Sequence, residues 1–447
     1  MGIEDFSDSV VLEFLERDFE MPLPAMRRIV KDFQSEMKAG LALEESSLKM
    51  IPTHAEKPTG KEKGRYIALD LGGTNLRVLD IELDGNGNIS ESAAKNFILD
   101  QKHITGSGEE LFAFLADSVK AFIKERGLDK AKKVNIGFTF SFPMDRKGID
   151  SGILLRWTKG FSTSGVLGKD VVKLLKDALA KKGVRNIRIA ALSNDTVSTM
   201  VAGAYKHTDC DIGVILGTGT NACYSEAMSN IKKWKGAKTP SGSMIVNIEW
   251  GNFNKLRKNS YDNELNEFSD NPDEQILEKK ASGKYLGELA RLVLKDFIVR
   301  GIIFSGVSSE NFSREGGIRA EHVSRIEADD THNLSEIGNL LGAMGIEVST
   351  IKDRLLVKSV CQIISLRAAR IIATAMAAVV TKNDQQLSRE HTVAIDGSVY
   401  EKHPFFAKNV KAALEELFGN ISSRIKLTLT KDGSVAGSAI LAAVASK

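Results

Sequence analysis

Apolar residues recur at helical spacing from Ser9 to Ala39 (Leu12, Phe14, Leu15, Met26, Ile29, Val30, Phe33), which predicts one or two helices. The polar stretch 52–64 holds Pro52, Pro58, Gly60 and Gly64 and reads as a loop. Apolar runs then predict strands at 66–70 and 76–83, with Asp84-Gly85-Asn86-Gly87 turning the chain back. An amphipathic pattern over 109–126 predicts a helix, 134–142 a strand and 169–182 another helix. The buried-type run 187–192 leads into a helix at 196–205, and 211–225 reads as strand, glycine loop and strand. Further along, 244–248, 391–395 and 425–429 have strand character. Helices are expected at 273–281, 285–299, 321–328, 334–344, 352–382, 405–418 and 434–445.

Helices alternating with continuously apolar strands indicate an α/β architecture. Gly73-Thr74-Asn75 and Gly219-Thr220-Asn221 each sit between two strands, which suggests an internal duplication. Two similar lobes facing one another would leave a cleft, the usual place for a ligand.

Composition narrows the class. At roughly 150 residues per domain, 447 residues suggest two or three domains. Apolar residues are 42% and charged residues 27%, ordinary globular usage. The net charge of +3, without blocks of like charge, speaks against a nucleic-acid binder or a polybasic membrane anchor. The segment 1–20 is acidic and lacks the charged flank and apolar core of a signal peptide. The longest apolar stretch, 371–380, is about half a membrane span and reads as a core helix. Cys210, Cys223 and Cys361 form no close pair, so a reducing, cytoplasmic setting is expected. The seven histidines show no i, i+4 pairing, which leaves zinc chemistry without support.

Candidate chemistry gathers at strand ends. Asp70 closes an apolar run and is followed by Gly72, Gly73, Thr74, Asn75 and Arg77. Glycines let backbone N–H groups approach an anion, and an acid beside a phosphate calls for a divalent cation. A nucleotide with Mg²⁺ is therefore the natural ligand, with a plain hairpin turn as the alternative. The second loop, Gly217 to Ala222, loosely fits the dinucleotide glycine pattern, but strand rather than helix follows it, which argues against a Rossmann site. Ser193-Asn194-Asp195-Thr196 joins a strand to a helix, so Asp195 is either a helix cap or a general base. Ser141 faces core or cleft, Trp157-Thr158-Lys159-Gly160 suits a polyol and a charged group or a surface loop, and Glu249 and Glu278 taken singly read as solvated acids.

Taken together, these segments resemble the eukaryotic-type hexokinase family. The resemblance runs in order through Ile51-Pro52-Thr53, Leu69 to Asn75, Phe140-Ser141-Phe142-Pro143, Trp157 to Phe161 and Asn194-Asp195-Thr196-Val197. It continues through Gly217 to Tyr224, Asn247 to Gly251, Glu278-Lys279 with Ser282-Gly283, Asp396-Gly397-Ser398 with His403-Pro404, and Asp432-Gly433-Ser434. It covers about residues 10 to 447 and looks like the single-unit form. The resemblance implies a duplicated actin-like ATPase (ribonuclease H-like) fold with two lobes around a central cleft. It divides the chain into a small lobe at 65–193 completed by 431–447, and a large lobe at 194–430 joined by 1–64. It further implies ATP-dependent phosphorylation of the 6-hydroxyl of glucose and related hexoses, with ATP and Mg²⁺ required and a monomer or homodimer as the working form. Asp195 would be the base and Lys159 its catalytic neighbour. Ser141, Thr158, Lys159, Asn194, Asn221, Glu249 and Glu278 would hold the sugar. Asp70 would engage Mg²⁺. Gly72, Gly73, Thr74, Asn75, Arg77, Thr218, Gly283, Asp432, Gly433 and Ser434 would serve the nucleotide. Ser198, Arg314-Glu315-Gly316 and Val435-Ala436 depart from the family pattern.

Overall fold

The structure is a computed structural model that describes residues 8–73 and 75–446. Its strands form two principal sheets built to one plan. In the first, Lys63–Gly72 pairs antiparallel with Asn75–Asp84, which pairs antiparallel with Ile89–Ile98. On the other side of Lys63–Gly72, Val134–Phe140 and then Ile187–Ser193 add in parallel. The second sheet repeats this with Cys210–Leu216, Thr220–Ala227 and Ser243–Asn247 antiparallel, and His391–Asp396 and Ile425–Leu429 parallel. Ile51–Pro52 extends its edge against Ser243–Asn247. The sequence echo falls at the first hairpin of each repeat, where Gly72 faces Asn75 and Leu216 faces Thr220. The fold is the duplicated actin-like, ribonuclease H-like architecture.

Each repeat ends in a helix that crosses to the other sheet. Asp195–Lys206 leaves the first sheet and packs on Cys210–Leu216 and His391–Asp396, while Gly433–Val444 leaves the second and packs on Lys63–Gly72 and Val134–Phe140. The two helices also pack on one another. Their crossing is very close: a Cβ at Gly437 would stand 1.8 Å from the Ser198 carbonyl oxygen, and one at Gly137 1.8 Å from that of Ser438. Buried hydroxyls hold the same junction, with Ser198 Oγ 2.6 Å from Ser193 Oγ and 3.2 Å from Thr139 Oγ1.

Three apolar clusters follow from this plan. One lies under the first sheet, against Gly108–Glu125 and Val171–Lys181. Another lies between the sheets and includes Ala68, Val197, Met200, Ile245 and Ala439. The largest surrounds Ile351–Asn383 and takes in the N-terminal helices Asp8–Phe19 and Leu23–Ala42. Ile351–Asn383 is the one helix among the described residues long and apolar enough to cross a membrane, and its apolar window is 83% buried in the fold. It is a core helix.

Several element limits differ from expectation for local reasons. The helix expected at 273–281 is Ile276–Ala281, because Asp273 and Gln275 take φ of 63° and 56°. The helix expected from Lys169 starts at Val171, since the Asp170 carboxylate accepts from the Val172 and Lys173 amides and caps it there. The strand expected to reach Phe142 stops at Phe140, where the Phe142 amide turns back onto the Phe140 carbonyl.

Candidate active site

The first sheet contributes an aromatic platform. Phe140, Phe142, Trp157 and Phe161 pack ring to ring, with Trp157 and Phe161 stacked at 5.3 Å. The Trp157 indole N–H donates to the Thr163 carbonyl at 2.7 Å, so the platform is both packed and hydrogen-bonded. It braces two loops, one carrying Ser141 and the other Thr158 and Lys159. Lys159 takes φ of 57° before Gly160, and its Nζ lies 5.9 Å from the Phe142 ring centroid.

At the junction Ser193–Thr196 the structure assigns the helix cap to one of two neighbouring polar residues. Asn194 is the N-cap of Asp195–Lys206, its side-chain oxygen accepting from the Val197 amide at 2.9 Å. Asp195 is thereby free of capping duty. Its Oδ1 accepts from the Thr196 amide at 2.8 Å and the Thr196 hydroxyl at 3.1 Å, and its Oδ2 has no hydrogen-bond partner among the described residues.

The second sheet contributes amides and acids. Asn221 Nδ2 donates to Asn247 Oδ1 at 2.9 Å and Glu249 Oε1 at 3.1 Å, and Asn247 Nδ2 donates to the same Glu249 oxygen at 2.7 Å. Glu249 itself takes φ of 57°, a left-handed conformation held by this network. Glu278 accepts from the Thr220 amide at 2.9 Å. Burial raises its pKa, the amide bond opposes that, and the neighbouring Glu249 charge adds to it. A polyol would relieve this pair, because carboxylates accept from vicinal hydroxyls and amides both give and accept.

Ser141, Thr158, Lys159, Asn194, Asp195, Asn221, Glu249 and Glu278 all line one cleft of about 1040 Å³ between the sheets. Gly73 and Thr218 line it too. A second cavity of about 1380 Å³ shares Thr218, Asp270, Lys284 and Tyr285 with it and is walled further by Gly283, Ser398 and His403. Gly283 packs beneath the second glycine loop, its amide donating to the Gly217 carbonyl at 2.9 Å.

Charge concentrates where the lobes meet. Asp70 is pushed up to about 7, first by burial and then by the Asp195 carboxylate, with Lys159 and Arg77 opposing and Asp396 adding. Asp396 is raised by burial as well, and its Oδ2 accepts from the Ser434 amide at 3.3 Å. Arg77 bridges to Asp432 at 2.5 Å, which draws the Asp432 carboxyl down. Asp432, Gly433 and Ser434 form the start of the helix Gly433–Val444, whose first amides face the same region. Asn75 opens the strand after the first hairpin and Gly72 closes the one before it. Thr74 lies outside the described residues.

Mg²⁺ fits this donor set. Acids crowd one another in a desolvated corner, which a dication would relieve, and Asp70 is the one at the strand end beside the glycine hairpin. Among the described residues no three His, Cys, Asp or Glu side chains converge to cage a metal.

Two residues in the site were not singled out from sequence. Asn247 stands in the run of the resemblance but carried no role, and Asp396 likewise. The signal for each was its place at a strand end beside an acid or a glycine.

One substitution tests the sugar-side geometry. A Cβ at Gly219 would lie 2.8 Å from Glu278 Oε2, so Gly219→Ala is expected to displace that carboxylate. For a polyol held by Glu278, affinity is expected to fall about tenfold, the scale of one charge-assisted hydrogen bond, read by intrinsic tryptophan fluorescence. Unchanged affinity would show that Glu278 does not hold the sugar.

A duplicated ribonuclease H-like fold, with a polar cleft between its sheets and a glycine hairpin from each repeat at its edge, places the chain in the actin-like class of two-lobed proteins. Comparison with known proteins gives the family. Two family models described as hexokinase match residues 11–205 and 211–444. The chain is 39% identical to hexokinase-4, chloroplastic, of Oryza sativa over 95% of its own length and 86% of that protein. It is 36% identical to hexokinase-2 of Saccharomyces cerevisiae, over 98% and 92%. Against hexokinase-1 of Mus musculus it is 36% identical over 95% of itself but spans only 44% of that longer protein. The solved structure of hexokinase from Schistosoma mansoni complexed with glucose superposes with a TM-score of 0.86 at 32% identity, covering 98% of this chain and 100% of that one. The chain belongs to the hexokinase family and is a hexokinase enzyme.

Proposed function

We propose that the enzyme transfers the γ-phosphoryl group of MgATP to the 6-hydroxyl of glucose and related hexoses. One observation carries this reading: eight side chains suited to a hexose and its reacting hydroxyl line one cleft, next to the glycine hairpins and the Asp70 carboxylate. The sugar lies between Asn221, Glu249 and Glu278 on one wall and Ser141 and Thr158 on the other. Asp195 Oδ2, without a hydrogen-bond partner among the described residues, accepts the 6-hydroxyl proton while Oδ1 stays fixed by Thr196. Lys159 places its cation on the transferring group as charge develops there. The hairpin at Gly72, Gly73 and Asn75 and the start of Gly433–Val444 present amides to the phosphates. Thr218 closes the other side, and the adenosine extends into the cavity walled by Gly283 and Ser398. Asp70 would hold Mg²⁺, which would supply charge neutralisation to the transferring phosphate.

The lobes are 65–193 with 431–447, and 194–430 with 1–64. Because sugar ligands come from both, a bound hexose draws the lobes together and excludes water as a competing acceptor. Three free, buried cysteines support a reducing setting such as the cytoplasm. The deciding experiment is a coupled assay across glucose, mannose, fructose and glucosamine, with ATP or inorganic polyphosphate as donor. Sugar-dependent ATP consumption yielding the 6-phosphate is expected. ATP consumption indifferent to sugar would point to an actin-like ATPase instead.

A further inference from the structure

Arg146 sits in the short hairpin of Met144–Gly148 and Ser151–Leu154, which connects the Ser141 loop to the Thr158–Lys159 loop. Its surroundings are unusual for a guanidinium. It forms no ion pair among the described residues, and Asp150 and Asp170 act on it only at a distance. Four main-chain carbonyls accept from its Nη2 instead: Leu192, closest of all, Ile149 at 3.3 Å, and Gly148 and Thr53 at 3.4 Å. Its Nε is buried and unpartnered. Burial draws its pKa down to about 10, so the group stays charged near neutrality. A charge partly withdrawn from water, with carbonyl dipoles as its direct partners and Asp150 and Asp170 only at a distance, contributes little to stability.

The carbonyls it gathers belong to separate parts of the site. Leu192 lies two residues before Asn194 and three before Asp195, on the strand end that delivers both. Its own amide donates to the Ile149 carbonyl at 2.7 Å, within the same hairpin. Thr53 belongs to the other lobe: its amide and hydroxyl both donate to the Ile245 carbonyl, at 3.2 and 2.7 Å, on the strand that ends at Asn247. The next residue, His54, packs its ring edge-on against Trp234 at 4.7 Å. The hairpin is also tightly packed, since a Cβ at Gly152, opposite Arg146, would lie 2.6 Å from the Leu192 side chain.

We propose that Arg146 is a positioning residue for phosphoryl transfer, one guanidinium that sets the small-lobe sugar loops in register with the strand end bearing Asp195 and with the edge of the second sheet. Its side chain borders the same cleft, and it acts through Leu192 and Thr53. The proposal rests on the hexokinase reading above. Small displacements at a reacting centre are costly in rate, of order 10²-fold for about 1 Å.

The test compares Arg146→Ala and Arg146→Lys with the parent enzyme, whose sugar-dependent turnover is the control. Loss of the parent's own activity would fail the function, whereas the variants alone bear on Arg146. Arg146→Ala is expected to lower kcat about 10²-fold, to raise the glucose Kd read by tryptophan fluorescence, and to make less sugar phosphate per ATP consumed. Arg146→Lys keeps the charge and up to three donors, so it should fold with nearly the parent Tm and recover about tenfold of the lost kcat. Ethylguanidinium at millimolar concentration should partly restore turnover in the alanine variant. If the alanine variant does not fold, the lysine variant still decides, because it should fold and yet turn over about tenfold more slowly than the parent. A folded lysine variant with parental kcat and product-to-ATP ratio would overturn the proposal. So would losses in both variants that track only the folded fraction.

Discussion

Asp195→Ala is expected to reduce hexose phosphorylation by about 10³–10⁴-fold while glucose binding stays within about an order of magnitude of the parent. The upper end of a general base's contribution is of that size. The reason to expect so clean a separation is local. Asn194 caps the helix through the Val197 amide, so removing the Asp195 carboxylate leaves the helix start intact. Among the described residues, the only side-chain hydrogen bonds lost are those from Thr196 to Oδ1. Asn221, Glu249 and Glu278, the proposed sugar ligands, are held by bonds that do not involve Asp195. The measurement pairs a coupled turnover assay with glucose titration by tryptophan fluorescence. Turnover near the parental rate would remove Asp195 as base. Loss of glucose binding by much more than tenfold would make it chiefly a sugar ligand.

That expectation shows where sequence reasoning stops. The run Ser193–Thr196 could be assigned to a strand–helix junction from residues alone, but two adjacent cap-forming residues left the cap unassigned. Only backbone geometry places Asn194 at the N-cap and Asp195 one residue inside the helix. The duplication was legible for the opposite reason, since glycine hairpins between apolar strands are local signals. Ile89–Ile98 was not legible: its sequence, Ile-Ser-Glu-Ser-Ala-Ala-Lys-Asn-Phe-Ile, lacks a sustained two-residue alternation. It becomes a strand because Asn75–Asp84 offers it a long antiparallel partner, a tertiary cause. The hairpin containing Arg146 was missed likewise. Met-Asp-Arg-Lys-Gly reads as a polar loop, and its pairing with Ser151–Leu154 and the Leu192 carbonyl appears only in three dimensions. The exchange of terminal helices between the sheets also has no local signature, although Gly437 and Gly137 mark the close approach once it is known.

Asp70→Asn is expected to lower kcat/KM for MgATP by about 10²–10³-fold and, at the same time, to stabilise the ligand-free protein at pH 8. The two effects share one cause. Burial and the Asp195 charge raise the Asp70 carboxyl from 3.8 to about 7. A carboxyl whose folded pKa is raised binds its proton more tightly in the folded state, so no penalty exists below the unfolded pKa near 4. The penalty grows as pH rises from there and is complete above about 7, with a ceiling of roughly 4 kcal/mol. An asparagine carries no charge to bury. The variant's Tm should therefore exceed the parent's at pH 8, and the gap should close as pH falls toward 4. In the parent, the same proton must leave before Asp70 can serve the cation, so MgATP affinity should weaken as pH drops below 7. The nucleotide's own phosphate titrates nearby, and for that reason the comparison is between parent and variant: only the parent should carry the additional slope. Thermal unfolding and MgATP titration from pH 5 to 8 measure both. A variant less stable than the parent at pH 8, or an identical pH slope in the two proteins, would mean that the strained carboxylate is not the one that receives the cation.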